Sequence, residues 1–278
     1  MRKVSGFTLV EAIVVIVIMG ILSAMVAVFI RAPVEAYLDT ARRGILANAA
    51  DIALRRMGRD LRLAVPNSIR PTGACAAANC YLEFLPIKDG GRYRWALTAA
   101  SGGDILDPTN PADGSFDVLG PAVTGVAGDF LVVNNATSTG TTGCDNAYDG
   151  CNRRTLSAPA GASVSFTVTA GAMPASPHYS FQIVPASGAV TYACEGVGIN
   201  AAGTGTGTLR RYTNYGIPSA QPTPPAGAGV TSALLADGLS ACSLAYDGYT
   251  GLVLIQLTLS QENEAVTLYH EVHVDNVY

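Results

Sequence analysis

The sequence predicts an α+β protein, with one long N-terminal α-helix packed on an antiparallel β-sheet head that carries long loops. Three observations lead there. An unbroken apolar run covers 12–30, apolar residues then recur every three or four positions as far as residue 64, and from residue 81 short alternating or fully apolar runs are divided by Gly, Pro, Asn and Ser. The first two patterns are helical and the third is that of sheet.

The chain opens with a basic leader, Arg2 and Lys3, reaches a Gly6-Phe7 junction, and places one carboxylate, Glu11, at the mouth of the apolar run. Twelve residues of 12–30 are Ile, Val, Leu or Phe, each favouring membrane insertion by roughly 0.3 to 0.6 kcal/mol. A carboxylate in such a segment costs a few kcal/mol and marks function. Two plainer readings compete. A cleaved secretory signal needs small residues near 23–27, where Met25 and Val26 break the pattern. A signal anchor accounts for the apolar run but leaves Glu11 and the Gly6-Phe7 step without a role. Arg31, Arg42 and Arg43 follow the span and weaken the charge bias that would hold the leader in the cytoplasm.

Val34, Leu38, Ala41, Ile45, Ala49 and Ile52, then Ala53, Met57, Leu61 and Ala64, continue the helix in amphipathic form. Pro33 is expected to kink it or to mark where membrane helix becomes stem, because proline removes a backbone donor, and Pro66 is expected to end it. A helix over 7–64 would span on the order of 85 Å, far more than a bilayer requires. The expected organisation is a leader at 1–6, a membrane-spanning helix at 7–30, an amphipathic stem at 31–65 and a β-rich head at 66–278, with no internal repeat. A chain of this length can bury a core without a second independent domain.

Strands are expected at 81–87, 92–97, 129–133, 164–169, 179–184, 190–194, 208–212, 252–259 and 265–274, with long loops at 99–128, 134–162 and 196–232. The last two strands flank a turn at 260–264 and read as a hairpin at the centre or edge of the sheet. Loops of such length are commonly functional or mobile.

The net charge of −4 conceals a division along the chain. Residues 1–70 hold ten of the 17 Lys and Arg against five acids, and 71–278 hold seven against 16. Arg55, Arg56, Arg59 and Arg62 invite a nucleic-acid reading, but helical spacing with Asp51 and Asp60 interleaved is that of a solvated face or a subunit contact, and no nucleic acid is expected. A basic stem beside acidic neighbours would help set subunit order, with salt screening as its signature.

All six cysteines lie beyond residue 70: Cys75, Cys80, Cys144, Cys151, Cys194 and Cys242. An even count confined to the head suits an oxidising compartment. Six cysteines allow fifteen pairings, so connectivity stays open. The two close pairs, Cys75 with Cys80 and Cys144 with Cys151, point to local staples, which would leave Cys194 for Cys242. Zinc is the rival, yet neither short spacing is a usual zinc spacing and no histidine lies near.

No catalytic constellation emerges, and neither enzyme activity nor a cofactor or metal is expected. His270 and His273, three apart on a strand, face opposite sides and make a poor metal pair. The run Gly203-Thr204-Gly205-Thr206-Gly207-Thr208 lacks the Lys-Ser/Thr step of a phosphate loop. Asp145, Asn146 and Asp149 offer the oxygen ligands calcium favours, without EF-hand spacing, and equally suit a turn inside a stapled loop.

The segment Arg2-Lys3-Val4-Ser5-Gly6-Phe7-Thr8-Leu9-Val10-Glu11 with its apolar continuation resembles the class III signal of type IV prepilins and type II secretion pseudopilins. The resemblance implies the type IV pilin-like fold, a membrane prepilin peptidase that cuts between Gly6 and Phe7 and N-methylates Phe7, and a Glu11 that neutralises the terminal amine of a neighbouring subunit. Two opposite charges meeting in low dielectric then replace two buried separately. A second resemblance rests on Tyr37-Leu38-Asp39-Thr40-Ala41-Arg42-Arg43, Cys194, Leu209-Arg210-Arg211-Tyr212, Ala241-Cys242-Ser243-Leu244-Ala245-Tyr246-Asp247, Gly251-Leu252-Val253 and His273-Val274-Asp275-Asn276-Val277. These runs look like MshO-type minor pilins of mannose-sensitive haemagglutinin pili. They imply a low-abundance subunit that primes or caps a pilus. Its partners would be major and minor pilins met through the N-terminal helix, the prepilin peptidase and the inner-membrane assembly platform. It would sit in the inner membrane with its head in the periplasm, and later in the fibre or at its tip. The alternatives are a J-type pseudopilin of a type II secretion system and a pilus-borne adhesin whose 99–162 loops bind a surface or glycan.

Overall fold

The computed structural model describes residues 6–73, 75, 79–99, 102–139, 143–169 and 171–275. The leader residues Arg2, Lys3, Val4 and Ser5, and Asn276 and Val277 near the C-terminus, lie outside the described residues. The chain divides into two compact units, 1–45 and 46–278. One helix, α1 (Leu9–Leu61), runs through the division, with Pro33 inside it.

In the first unit α1 is long and apolar enough to cross a membrane, and none of its most apolar stretch is buried. Ile13, Ile16, Met19, Leu22 and Phe29 are all exposed. Beyond the apolar run, Arg31 pairs with Glu35 at 2.8 Å and Arg42 with Asp39 at 3.2 Å.

In the second unit the last turns of α1 bury Leu46, Ala50, Ala53, Leu54, Met57 and Leu61; the expected stripe holds at Ala53, Met57, Leu61 and Ala64, whereas Ile45 and Ile52 are exposed and Leu46, Ala50 and Leu54 face the core in their place. Full burial of each larger side chain contributes about 1.5 to 3 kcal/mol. The stripe packs on a sheet of seven antiparallel strands: β1 (Arg70–Thr72), β2 (Cys80–Phe84), β9 (Val190–Glu195), β10 (Gly207–Thr213), β11 (Thr231–Asp247), β12 (Leu252–Gln261) and β13 (Glu264–His273), in the spatial order β1-β2-β9-β10-β11-β12-β13. Leu82, Phe84, Tyr192, Leu209, Leu239, Val253, Ile255 and Leu257 complete that core.

A second sheet holds β3 (Asp89–Tyr93), β4 (Ser115–Leu119), β5 (Phe130–Val133), β6 (Arg153–Thr155), β7 (Ser163–Ser165) and β8 (Ser180–Val184), in the order β6-β5-β8-β3-β4-β7. Its core is aromatic, with Phe116 against Phe181 edge to face at 5.0 Å and against Tyr93 at 5.9 Å. Val65, Leu85, Val132, Tyr148, Val184 and Ile217 form a third cluster.

The α+β class and the antiparallel sheet packed on the helix stand as the sequence indicated, while several elements differ. The largest omission is β11, seventeen residues long. Its Ala, Ser, Gly and Asp content has low strand propensity and Asp237-Gly238 reads as a turn. Gly238 instead takes φ +71° inside the strand, next to the register shifts opposite β10 and β12, and so bends it without ending it. The strand expected at 92–97 lies at Asp89–Tyr93, because Gly90 and Gly91 pair closely with β8. A Cβ at Gly90 would meet the Phe181 carbonyl at 2.8 Å. The stretches expected as loops contain β4 and β6, and the strand expected at 164–169 shortens to Ser163–Ser165. The closing hairpin turns on Glu262 and Asn263, both at positive φ, which is the two-residue type I′ geometry.

Candidate functional site

The candidate site is the entry to α1. Thr8 caps the helix: its Oγ1 accepts the Glu11 amide at 3.3 Å and its carbonyl accepts the Ala12 amide at 3.1 Å. Thr8-Leu9-Val10-Glu11 is thus the S/T-x-x-E start signature, a signal present in the sequence that the reading of Glu11 as a charge partner passed over. Capping employs the Glu11 backbone amide. Its carboxylate is exposed and makes no hydrogen bond or ion pair among the described residues. Phe7, at 77% exposure, is equally free of packing. Gly6 is not demanded by the fold either, since a Cβ there would meet nothing within 4 Å. Gly6, Phe7 and Glu11 therefore form an exposed segment carrying one unpaired acid, and beyond the helix-start preference for an acid at Glu11 no contact among the described residues explains those identities.

Residues 1–27 match the prokaryotic N-terminal methylation motif. The match supports a type IV pilin-like prepilin signal, as found in pilins and pseudopilins processed by a prepilin peptidase. No curated protein and no solved structure matches the chain.

In the head the cysteines close as Cys75–Cys80, Cys144–Cys151 and Cys194–Cys242. Cys80 stands opposite Cys194 in the β2–β9 register, and its Sγ lies 4.0 Å from that of Cys242. Two disulfides thus touch inside the core. The Cys80, Cys194 and Cys242 sulfurs lie within 4.8 Å of one another, the closeness a metal would need. Each is spent in a disulfide and has no thiolate to offer.

The remaining candidates have structural employment. Asn146 Oδ1 accepts the Tyr148 amide at 2.9 Å and its Nδ2 donates to Asp149 at 3.2 Å, so the stapled loop uses its own polar groups. Gly203 sits where a Cβ would strike the Asn263 side chain, which explains a glycine without a phosphate. His270 packs over Gly58, and His273 is exposed on the other face of β13.

Sequence reasoning missed two polar clusters, one buried and one partly buried. Arg70 donates to Glu83 Oε1 at 2.8 Å and to the carbonyls of Ser219 and Pro218 at 2.6 and 2.9 Å, and its guanidinium lies 3.6 Å over the Tyr148 ring. Burial pushes the Glu83 carboxyl up to about 7, with Arg70 and Thr191 only partly offsetting it. Burial likewise raises the Tyr148 hydroxyl. The second cluster is Asp60, which accepts from Tyr192 at 2.7 Å and from Arg211 at 2.8 Å. Neither has a short motif, because the partners stand 13 to 151 positions apart.

Proposed function

We propose that this chain is a minor pilin, cleaved by a prepilin peptidase between Gly6 and Phe7, N-methylated at Phe7 and assembled into a type IV pilus of the mannose-sensitive haemagglutinin kind through its N-terminal helix. The unpaired Glu11 carboxylate on an exposed apolar helix, within residues that match the methylation motif, carries the reading. A buried ion must be paired, and the freed Phe7 amine of an adjacent subunit is the opposite charge that cleavage supplies. The chemistry belongs to the peptidase, and the chain itself acts as a structural subunit that primes or caps the fibre. Before assembly it is held in the inner membrane with the disulfide-stapled head in the periplasm, where it meets the assembly platform and other pilins. Several residues of the MshO-like runs hold the framework of the head. Cys194 and Cys242 form the long disulfide, Arg211 ties β10 to α1, and Leu252 and Val253 begin β12.

The deciding experiment expresses the chain with and without a prepilin peptidase and determines its N-terminus by mass spectrometry. An N-methylated phenylalanine is expected only with the peptidase. A mature chain that retains residues 1–6 would defeat the reading. Copurification of sheared pili then separates a pilus subunit from a J-type pseudopilin, because the latter would be recovered with secretion-system components.

A further inference from the structure

Four strands form the outer edges of the two sheets: β1, β13, β6 and β7. Three of them are only three residues long, and β1 contains Pro71. β13 is different. It has ten residues, pairs with β12 in unbroken register from Leu252↔His273 to Gln261↔Glu264, and contains no proline, lysine or bulge. An edge of that kind leaves a row of backbone donors and acceptors open to another strand; proteins ordinarily blunt such edges with proline, bulges or charged side chains, and of these β13 has only Glu264 and Glu271.

Alongside β13 runs a groove of about 720 Å³, lined by Ile52, Arg55, Arg59 and Arg62 of α1 and by Leu268 and Tyr269. Ile52 and Tyr269 are 58% and 65% exposed. Arg55 is paired with Asp51 at 2.7 Å, whereas the side chains of Arg59 and Arg62 make no hydrogen bond or ion pair among the described residues. All of these residues belong to the second unit.

We propose that β13 is a strand acceptor, on which an extended acidic segment of a partner protein pairs as an eighth strand of the sheet. Its backbone would complete the open edge, its carboxylates, on the face toward α1, would meet Arg59 and Arg62, and its apolar side chains, on the opposite face, would lie beside Tyr269. Arg59 and Arg62 rise about 4.5 Å along the helix, and alternate residues of a strand, which share one face, recur at about 6.6 Å, a difference that two long arginine side chains can span. A segment with a carboxylate at every second position therefore offers each arginine its own acid. Adding a strand to an exposed edge is an established mode of peptide recognition, in which main-chain bonds give affinity and alternate side chains give specificity. The inference concerns the head alone and stands or falls independently of leader processing.

The test uses the full chain in detergent and an end-blocked ten-residue peptide that alternates glutamate and valine. A twin with lysine for glutamate and a duplex oligonucleotide serve as comparisons. Affinity is measured by fluorescence anisotropy and backbone protection by hydrogen exchange over 264–273. The acidic peptide is expected to slow exchange in β13 saturably, to bind about tenfold or more tightly than its lysine twin, and to weaken as salt is raised. Arg59→Glu combined with Arg62→Glu should weaken it by a similar factor while leaving exchange of the free protein unchanged, because both side chains are exposed. Four results would overturn the proposal: no binding at millimolar peptide, binding without protection of β13, equal binding of the twin, or unchanged affinity in the double variant. Tighter binding of the oligonucleotide, lost in that variant, would instead make the groove a general polyanion surface and equally overturn it.

Discussion

Asp60, in the last turn of α1, accepts a hydrogen bond from Arg211 of β10 at 2.8 Å, and the same Oδ2 accepts from the Tyr192 hydroxyl at 2.7 Å. One carboxylate thus fixes the helix to two adjacent strands across 132 and 151 residues of sequence. The stripe of Leu54, Met57 and Leu61 supplies the bulk of the attachment. Apolar packing is tolerant of sliding, whereas two charge-assisted bonds to one oxygen set the register.

Removing that anchor should therefore cost more than an exposed ion pair does. Asp60→Ala is expected to lower stability by about 2 to 3 kcal/mol, since hydrogen bonds to charged groups contribute roughly 1.5 to 3 and Arg211 is left without its partner. Urea unfolding of the detergent-solubilised chain, followed by near-ultraviolet circular dichroism, measures it. In the cycle with Arg211→Met the double variant should lose clearly less than the sum of the two single losses. Additive losses would show that the pair contributes nothing of its own.

The Arg70–Glu83 cluster predicts a pH dependence. Glu83 is fully buried, and its folded-state value of about 7 lies above the ordinary 4.5. Between those two values the folded state holds more protons than the unfolded state, so this group's contribution to stability is full below 4.5 and is lost as the pH rises through 7. The loss amounts to a few kcal/mol. Chemical unfolding at pH 5 and pH 8 should show the head more stable at pH 5 by that order, after correction for other groups through Glu83→Gln, which should abolish the slope. Arg70→Met should steepen it, because the cation that favours the ionised carboxylate is gone. A wild-type slope identical to that of Glu83→Gln would refute the assignment.

What could be read from the sequence follows the range of the interactions. The helix was legible because its signals are local: an uninterrupted apolar run, and then the spacing of Ala53, Met57 and Leu61. β12 and β13 were legible because Val, Ile, Leu and Thr alternate and the turn at Glu262-Asn263 is short. β11 was not, because Ala233, Ala236, Ser240 and Ala241 have little strand preference of their own, and the pairing with β10 and β12 overrides it. The groove beside β13 was illegible for the same reason. Arg59 and Arg62 were visible as a basic helical face, but only the sheet order reveals that a free strand edge lies beside them.

At the helix entry, Gly6→Leu should leave a precursor about six residues longer than the mature chain in the presence of peptidase. The fold predicts no other penalty, because a side chain at Gly6 meets nothing within 4 Å. Glu11→Leu should insert and be cleaved normally, since the Thr8 cap uses the Glu11 amide and not its carboxylate. Incorporation into fibres should nevertheless fall about tenfold or more, the loss of one buried charge pairing being worth at least 1.4 kcal/mol. Quantitative immunoblots of membrane and sheared-fibre fractions separate the two effects. Equal recovery of Glu11→Leu in fibres would remove the charge-pair mechanism while leaving the cleavage site standing.

The touching disulfides make the last prediction. Cys75–Cys80 closes a loop of only five residues and Cys194–Cys242 one of 48, so by loop entropy the short bridge contributes about 2 to 2.5 kcal/mol and the long one about 4. Replacing Cys194 and Cys242 together by alanine should accordingly destabilise the head more than replacing Cys75 and Cys80 together. Cys75→Ser alone poses a different problem. It leaves the Cys80 thiol 4.0 Å from Cys242 Sγ, within reach of exchange. The Cys80 thiolate attacks Cys242 Sγ, a Cys80–Cys242 bond forms, the Cys194–Cys242 bond breaks, and Cys194 leaves as the thiolate, with no net oxidation or reduction. Non-reduced peptide mapping of Cys75→Ser at pH 8 should therefore recover Cys80–Cys242 beside the native bridge, and alkylation should label Cys194 as well as Cys80. Mapping that returns only Cys194–Cys242, with Cys80 as the sole labelled thiol, would show that core packing holds the sulfurs apart despite their closeness.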